Sequence, residues 1–299
     1  MNLLYFFPFC LKFKIKSCCS TEKLSKSIDY YSKLNSFIIH EKSPLMNLDK
    51  KVHICIMNNY LYMSCCHMYY DAYSIFQILN KIDLVYTNYD LINKNNFNNA
   101  GLNLNLNLEF DNLFEENFKI DLLVNALKSI YQSNFFHIIK NFLYTNTISL
   151  LTHNKKSSSK ILKIKKNKIK SNSNIDIMEY VLKKLFVKKY SMVVNLRKIF
   201  PHLDKKLGNL IYICDELKTF SNIRTKIDSD KLLGLDKLRL KVIPSDILLN
   251  SYLGFDIPEF LTGFELFGVN LEKNTSRLKS ILICPKNTHD KYYIVYYNL

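Results

Sequence analysis

The stretch VHICIMNNYLYMSCC, residues 52–66, constrains the fold most. It holds two apolar, β-prone runs parted by Asn58-Asn59, and that pattern predicts a β-hairpin. A helical stripe follows at once, with Tyr73, Phe76, Ile78, Leu79 and Ile82 recurring at helix spacing, and Ser74 with Gln77 has the spacing of a capping box. His67 and Asp71, in HMYYDA, then belong to the strand-to-helix loop and do not share a helix face.

At 299 residues and 48% hydrophobic, the chain can bury a large core, as one bilobed unit or as two domains. Further strands are predicted at 191–196, 210–214, 279–284 and 292–297. Ser173 and Asn174 offer N-caps for a helix whose stripe is Ile177, Val181, Leu182, Leu185 and Phe186. The Asn-rich run over 87–117, which includes GLNLNLNLEF, reads as a long insertion or a disordered loop, and apolar spacing from 118 to 143 predicts one or two helices. The expected organisation is an N-terminal segment over 1–35, an N-terminal lobe over 36–154, a serine- and lysine-rich crossover over 155–174, and a C-terminal lobe over 175–299.

The net charge of +16 comes from 42 Lys+Arg against 26 Asp+Glu. Lysine spread through Asn-, Ile- and Tyr-rich sequence is what an AT-rich genome encodes, so it separates functions poorly. No recognition motif or aromatic-basic repeat points to specific nucleic-acid binding. The eight cysteines stand at irregular spacings without C-x-x-C. That is not a disulfide scaffold, and a reduced, cytoplasmic compartment is expected. No run reaches the length of a transmembrane span. LLYFFPFCL, residues 3–11, has the length of a signal-peptide core, but lacks a preceding basic residue and a clear cleavage site, so a buried N-terminal strand or a misassigned start is a stronger reading than a signal or anchor.

A histidine at a strand end, titrating near neutrality, can take a proton from a hydroxyl, amine or thiol as that group attacks a carbonyl. A carboxylate four residues on can bond the ring, or turn away and lock the loop through an arginine. The bland alternative is that His67 ends the strand and Asp71 caps the helix. Zinc is disfavoured, because the adjacent Cys65 and Cys66 point to opposite faces of a strand and no second ligand pair has suitable spacing.

Downstream, VVNLRKIFPHLDKKLGN (193–209) and LLNSYLGFDIPEFLTGFELFG (248–268) complete a recognisable series. The chain resembles the coenzyme A-dependent acyltransferases of the chloramphenicol acetyltransferase-like superfamily, which includes the BAHD enzymes, wax ester synthases and condensation domains. The resemblance rests on His67-Met-Tyr-Tyr-Asp71 as the HxxxD motif and on Ser43-Pro44-Leu45 before it. It rests further on Asn195-Leu196-Arg197 with Gly208-Asn209, and on Asn250-Ser251-Tyr252, in order over 40–299. Departures are Ala72 where the family motif has glycine, a blurred C-terminal glycine motif over 263–268, and a short region ahead of His67.

The resemblance implies a two-lobed α/β fold of mixed sheets flanked by helices, with a tunnel between lobes. It implies an acyl-CoA-dependent acyltransferase with no metal and no permanently bound cofactor, acyl-CoA being a co-substrate and the acceptor a small-molecule or lipid-like hydroxyl or amine. His67 would be the general base. Asp71 would be structural, paired with Arg197, for which a salt bridge to Glu265 or the role of an ordinary strand-end arginine is the alternative, while Asn250, Ser251 and Asn209 would line a substrate site. The lysines of 160–170 are candidates for the phosphates of coenzyme A. The short first lobe and Ala72 motivate the alternative of a catalytically silent relative serving binding or assembly.

Overall fold

The computed structural model describes residues 8–43, 51–66, 69–94, 160–169, 173–239, 247–266, 279–285 and 291–299. The predicted hairpin is β3 (Val52–Met57) and β4 (Tyr60–Cys66), paired antiparallel with Met57 opposite Tyr60. Asn58 and Asn59 take φ of 52° and 62°. Two successive positive values make the type I′ turn that suits strand twist, and asparagine tolerates the left-handed region better than most residues.

Around the hairpin, β1 (Pro8–Ile15), β2 (Ile38–Glu41) and β9 (Leu261–Leu266) complete a five-stranded sheet in the order β2-β3-β4-β1-β9. Strand β2 runs parallel to β3, and the remaining neighbours are antiparallel. The N-terminal segment therefore supplies an inner strand. The edge strand β9 comes from the other half of the chain.

The second sheet has the order β5-β11-β10-β8-β6-β7. Its members are β5 (Lys160–Lys165), β6 (Tyr190–Asn195), β7 (Ile211–Leu217), β8 (Ile247–Ser251), β10 (Ser280–Ile283) and β11 (Tyr292–Asn298). Strands β6, β8 and β10 are parallel neighbours, flanked by antiparallel pairs on both sides. The helices are α1 (Thr21–Leu34), α2 (Ala72–Lys94), α3 (Asn174–Lys184), α4 (Ile223–Lys231) and α5 (Leu235–Arg239).

Side-chain alternation sorts the interior into two cores. Leu11, Phe13 and Ile15 of β1, Val52 and Ile54 of β3, and Leu61, Met63 and Cys65 of β4 face α1 and α2 in the first. Leu249, Ile281, Ile283 and Val295 join Ile177, Val181 and Leu182 of α3 in the second. The intervening residues Tyr252, Leu282 and Cys284 belong to the first core. Strand β10, inside the second sheet, is thus buried on both faces, which explains the unbroken apolar run Ile281-Leu282-Ile283-Cys284.

Three expectations need correction. Ser74 is not the N-cap of α2: the helix begins at Ala72, and the Asp71 carboxylate accepts from the Ser74 N–H at 2.9 Å, the bond an N-cap makes to the third helical residue. Helix α2 runs on to Lys94, so its last turns occupy the start of the supposed insertion. Phe186, placed on the apolar stripe of α3, lies beyond the helix end and is 90% exposed. The Asn-rich stretch past Lys94, the helices expected over 118–143, and Pro44-Leu45 lie outside the described residues.

Candidate active site at the lobe junction

Strand β6 ends at Asn195, whose side chain accepts from the Arg197 N–H at 3.0 Å and opens a 3-10 turn over Leu196–Lys198. That turn aims the guanidinium back toward the first lobe. Its Nη1 donates to Asp71 Oδ2 at 2.6 Å and to Asn195 Oδ1 at 3.2 Å, and its Nε donates to the Lys206 carbonyl at 2.8 Å. Nη2 reaches Asp71 Oδ1 at 3.5 Å, Ser74 Oγ at 3.3 Å and the Gly208 carbonyl at 3.1 Å. Both charged side chains are 2% exposed. Burying two charges is tolerable only when they are paired and their remaining polar atoms are bonded, as here.

Asp71 does two jobs with one carboxylate. Oδ1 caps α2, accepting from the N–H and hydroxyl of Ser74, while Oδ2 accepts from Arg197 and from the Leu210 N–H at 3.0 Å. Ser74 lies between the lobes: its hydroxyl accepts from the Gly208 N–H at 3.0 Å, and its single proton has Asp71 Oδ1 at 2.8 Å and the Gly208 carbonyl at 2.9 Å within reach. Gly208 has φ 139°, a backbone that side chains strain. The glycine of the Gly-Asn pair is required by that conformation.

Aromatic packing closes the junction around the ion pair. The Arg197 guanidinium lies 4.2 Å from the centroid of Tyr73, whose ring meets Phe255 at 6.4 Å. Phe76 stacks on Phe255 at 4.6 Å and meets Tyr252 edge-on at 6.1 Å. Tyr252 follows β8 yet is buried in the first core, and its phenol shares a hydrogen bond with the Asn250 side chain. Burial pushes that phenol well above its ordinary range, and it does the same to the Cys284 thiol. The phenol remains protonated at any physiological pH.

The expected site residues do not all come together. Asp71 and Arg197 meet. Asn250 and Ser251 diverge, as neighbours on a strand must: Asn250 pairs in register with Leu282 of the first core, while Ser251 pairs with Ile283 of the second and its hydroxyl accepts from the Leu253 N–H at 3.5 Å. Asn209 is half-buried beside Gly208. His67 and Met68 lie outside the described residues; His67 directly follows β4 in the chain. The lysines of 160–168 lie on or beside the edge strand β5, separated from β8 by β11 and β10 and so by about 14 Å at ordinary strand spacing. Ser74, Tyr73 and Tyr252 were missed as members of the site. The sequence signals were the Asp-x-x-Ser spacing of an N-cap and its third helical residue, for Ser74, and the Asn250-Ser251-Tyr252 motif, for Tyr252.

The parallel strands β6, β8 and β10 all finish on this side, at Asn195, Ser251 and Ile283. Crevices beyond the carboxyl ends of parallel strands are where open α/β sheets take their ligands. Among the described residues, no group of three or more His, Cys, Asp or Glu side chains could hold a metal ion, and no helix is long and apolar enough to cross a membrane.

Comparison with known proteins assigns the fold. No family model matches the sequence, and no curated protein matches it. Among solved structures, the chain is similar to the first condensation domain of the calcium-dependent antibiotic synthetase in complex with a substrate analogue. The TM-score is 0.52 at 8% identity, over 97% of this chain and 84% of that one. A second complex of that domain gives 0.51 at 9% identity, over 97% and 85%. The starter condensation domain of rhizomide synthetase, in complex with C8-CoA and Leu-SNAC, gives 0.51 at 8% identity, over 97% and 83%. The chain has the two-lobed fold of these condensation domains, two mixed sheets flanked by helices.

Proposed function

We propose that the protein transfers an acyl group from an acyl-CoA thioester to a hydroxyl or amine, with His67 as general base. The observation that carries this reading is the buried Asp71–Arg197 pair, because it fixes Asp71, four residues after His67 in the chain, beside the end of β6. A carboxylate saturated by an arginine, a helix start and a backbone N–H is occupied in holding the loop. The proton chemistry then falls to the imidazole.

In this reading His67 takes the acceptor's proton as the oxygen or nitrogen attacks the thioester carbonyl, and returns a proton to the departing thiolate of coenzyme A. Holding both substrates beside the base in a passage between the lobes supplies much of the rate. Asn250, which pairs in register with Leu282 of the first core, and Asn209 are the substrate-side candidates in this reading, with Ser251 turned to the second core. A donor of this class is supported by analogy of fold with the rhizomide domain bound to C8-CoA. Ala72 is compatible with activity, because it is the first residue of α2 and helical backbone suits alanine.

The test is free-thiol release from a panel of acyl-CoA donors with hydroxyl and amine acceptors. Turnover is expected with one pair and is lost in His67→Ala, while melting stays close to that of the parent because the Asp71–Arg197 pair is untouched. Undiminished turnover in His67→Ala overturns the mechanism. A folded protein inert toward the whole panel favours the silent, binding role.

A further inference from the structure

At the opposite end of the second sheet, α3 turns into β6 through Leu185, Phe186 and Val187. The turn is anchored: the Phe186 N–H donates to the Lys183 carbonyl at 3.2 Å and the Val187 N–H to the Leu182 carbonyl at 2.9 Å. Leu185 and Val187 pack against the second core. Between them Phe186 has φ 56° and is 90% exposed, more than any other large hydrophobic side chain among the described residues. Glycine or asparagine is the ordinary occupant of such a left-handed helix end. A bulky aromatic there carries backbone strain and presents an apolar ring to solvent, a combination that folding alone does not favour.

The surrounding charge is an independent observation. Lys183, Lys184, Lys188 and Lys189 are all exposed, and the run from 180 to 190 contains no acidic residue. Sheet topology gathers more charge at the same end. Strands β6, β8 and β10 begin here while β7 and β11 finish here, so the exposed Lys160, Lys218 and Lys279 stand at strand ends along the same edge. The lobe junction lies at the other ends of these strands.

We propose that this end of the second lobe docks on an anionic lipid surface, with the Phe186 ring inserted among the acyl chains and the lysines against the headgroups. An exposed aromatic on a hydrogen-bonded turn flanked by lysines has the two parts that interfacial binding needs, apolar insertion and attraction to anionic headgroups. The hydrogen-bonded turn presents the ring to solvent before contact, so the backbone needs little rearrangement on binding. The lobe junction would face away from the bilayer.

The chain contains no tryptophan, so Phe186→Trp installs a single reporter. Its emission is expected to shift to the blue with phosphatidylcholine vesicles containing phosphatidylserine, and to stay unchanged with phosphatidylcholine alone. In flotation, Phe186→Asn should lose vesicle binding yet melt no lower than the parent, because asparagine accepts the left-handed backbone. Each of Lys183, Lys184, Lys188 and Lys189 replaced by glutamine should weaken partitioning roughly five-fold, and added salt should do likewise. The proposal is overturned if Phe186→Asn floats as well as the parent, or if the tryptophan emission is the same with and without phosphatidylserine. It is equally overturned if an oligonucleotide shifts that emission and the vesicles do not.

Discussion

Asp71 and Arg197, 126 residues apart in the chain, form a buried ion pair of 2.6 Å that joins the start of α2 to the end of β6. Around it the carboxylate caps a helix and the guanidinium ties two carbonyls, so the contact is a hub between the lobes.

Removing one partner leaves the other charge buried. Asp71→Ala and Arg197→Ala are each expected to cost about 3–5 kcal/mol of stability, measured by chemical denaturation. Asp71→Asn should cost less than Asp71→Ala, because asparagine still caps α2. Equal losses in the two Asp71 variants would show that the cap contributes nothing.

Ser74 and Gly208 should behave as a coupled unit. Ser74→Ala leaves the Gly208 N–H without its buried acceptor and is expected to cost about 1–3 kcal/mol. Gly208→Ala meets backbone strain of similar size, about 1–3 kcal/mol. The double variant should cost less than the sum of the singles, and strict additivity in a double-mutant cycle would contradict the shared bond.

The hairpin turn makes a local prediction. Asn59→Gly should leave thermal stability unchanged or slightly raised, whereas Asn59→Val should lower it by about 1–2 kcal/mol, since a β-branched residue resists φ near 62°.

Thiol accessibility and alkaline stability follow from burial. Cys18 is exposed and should react first with an aromatic disulfide reagent, while Cys10, Cys55, Cys65, Cys214 and Cys284 should react only on unfolding. Burial, reinforced by nearby Cys55, pushes the Cys10 thiol from 9.0 up to about 12. The unfolded chain therefore binds fewer protons than the native one between those values, and stability should fall as pH rises through that window. Urea midpoints that stay flat across it would contradict a buried, protonated Cys10.

The hairpin, α2 and α3 were legible because each is written locally, in turn residues, caps and apolar period. The four later strands were legible for the same reason, within a residue or two except for the longer β7. The inner position of β1 and the placing of β9 in the first sheet were not, because strand pairing across some 250 residues leaves no local periodicity to read. The extra length of α2 was hidden by Asn-rich composition, which tertiary contact overrode.

For the candidate site, the sequence by itself determined which residue types stand at His67, Asp71, Arg197 and Gly208, and that Asp71 falls between a strand and a helix. Only the tertiary structure decided that the Asp71 carboxylate serves both cap and ion pair, that Ser74 bridges to Gly208, and that Asn250 and Ser251 face different cores. It also turned Phe186 out of a stripe where spacing had placed it. The physical reason is common to all of these. Propensity and periodicity act within a few residues, whereas a buried charge or ring is settled by partners that the fold alone brings into reach.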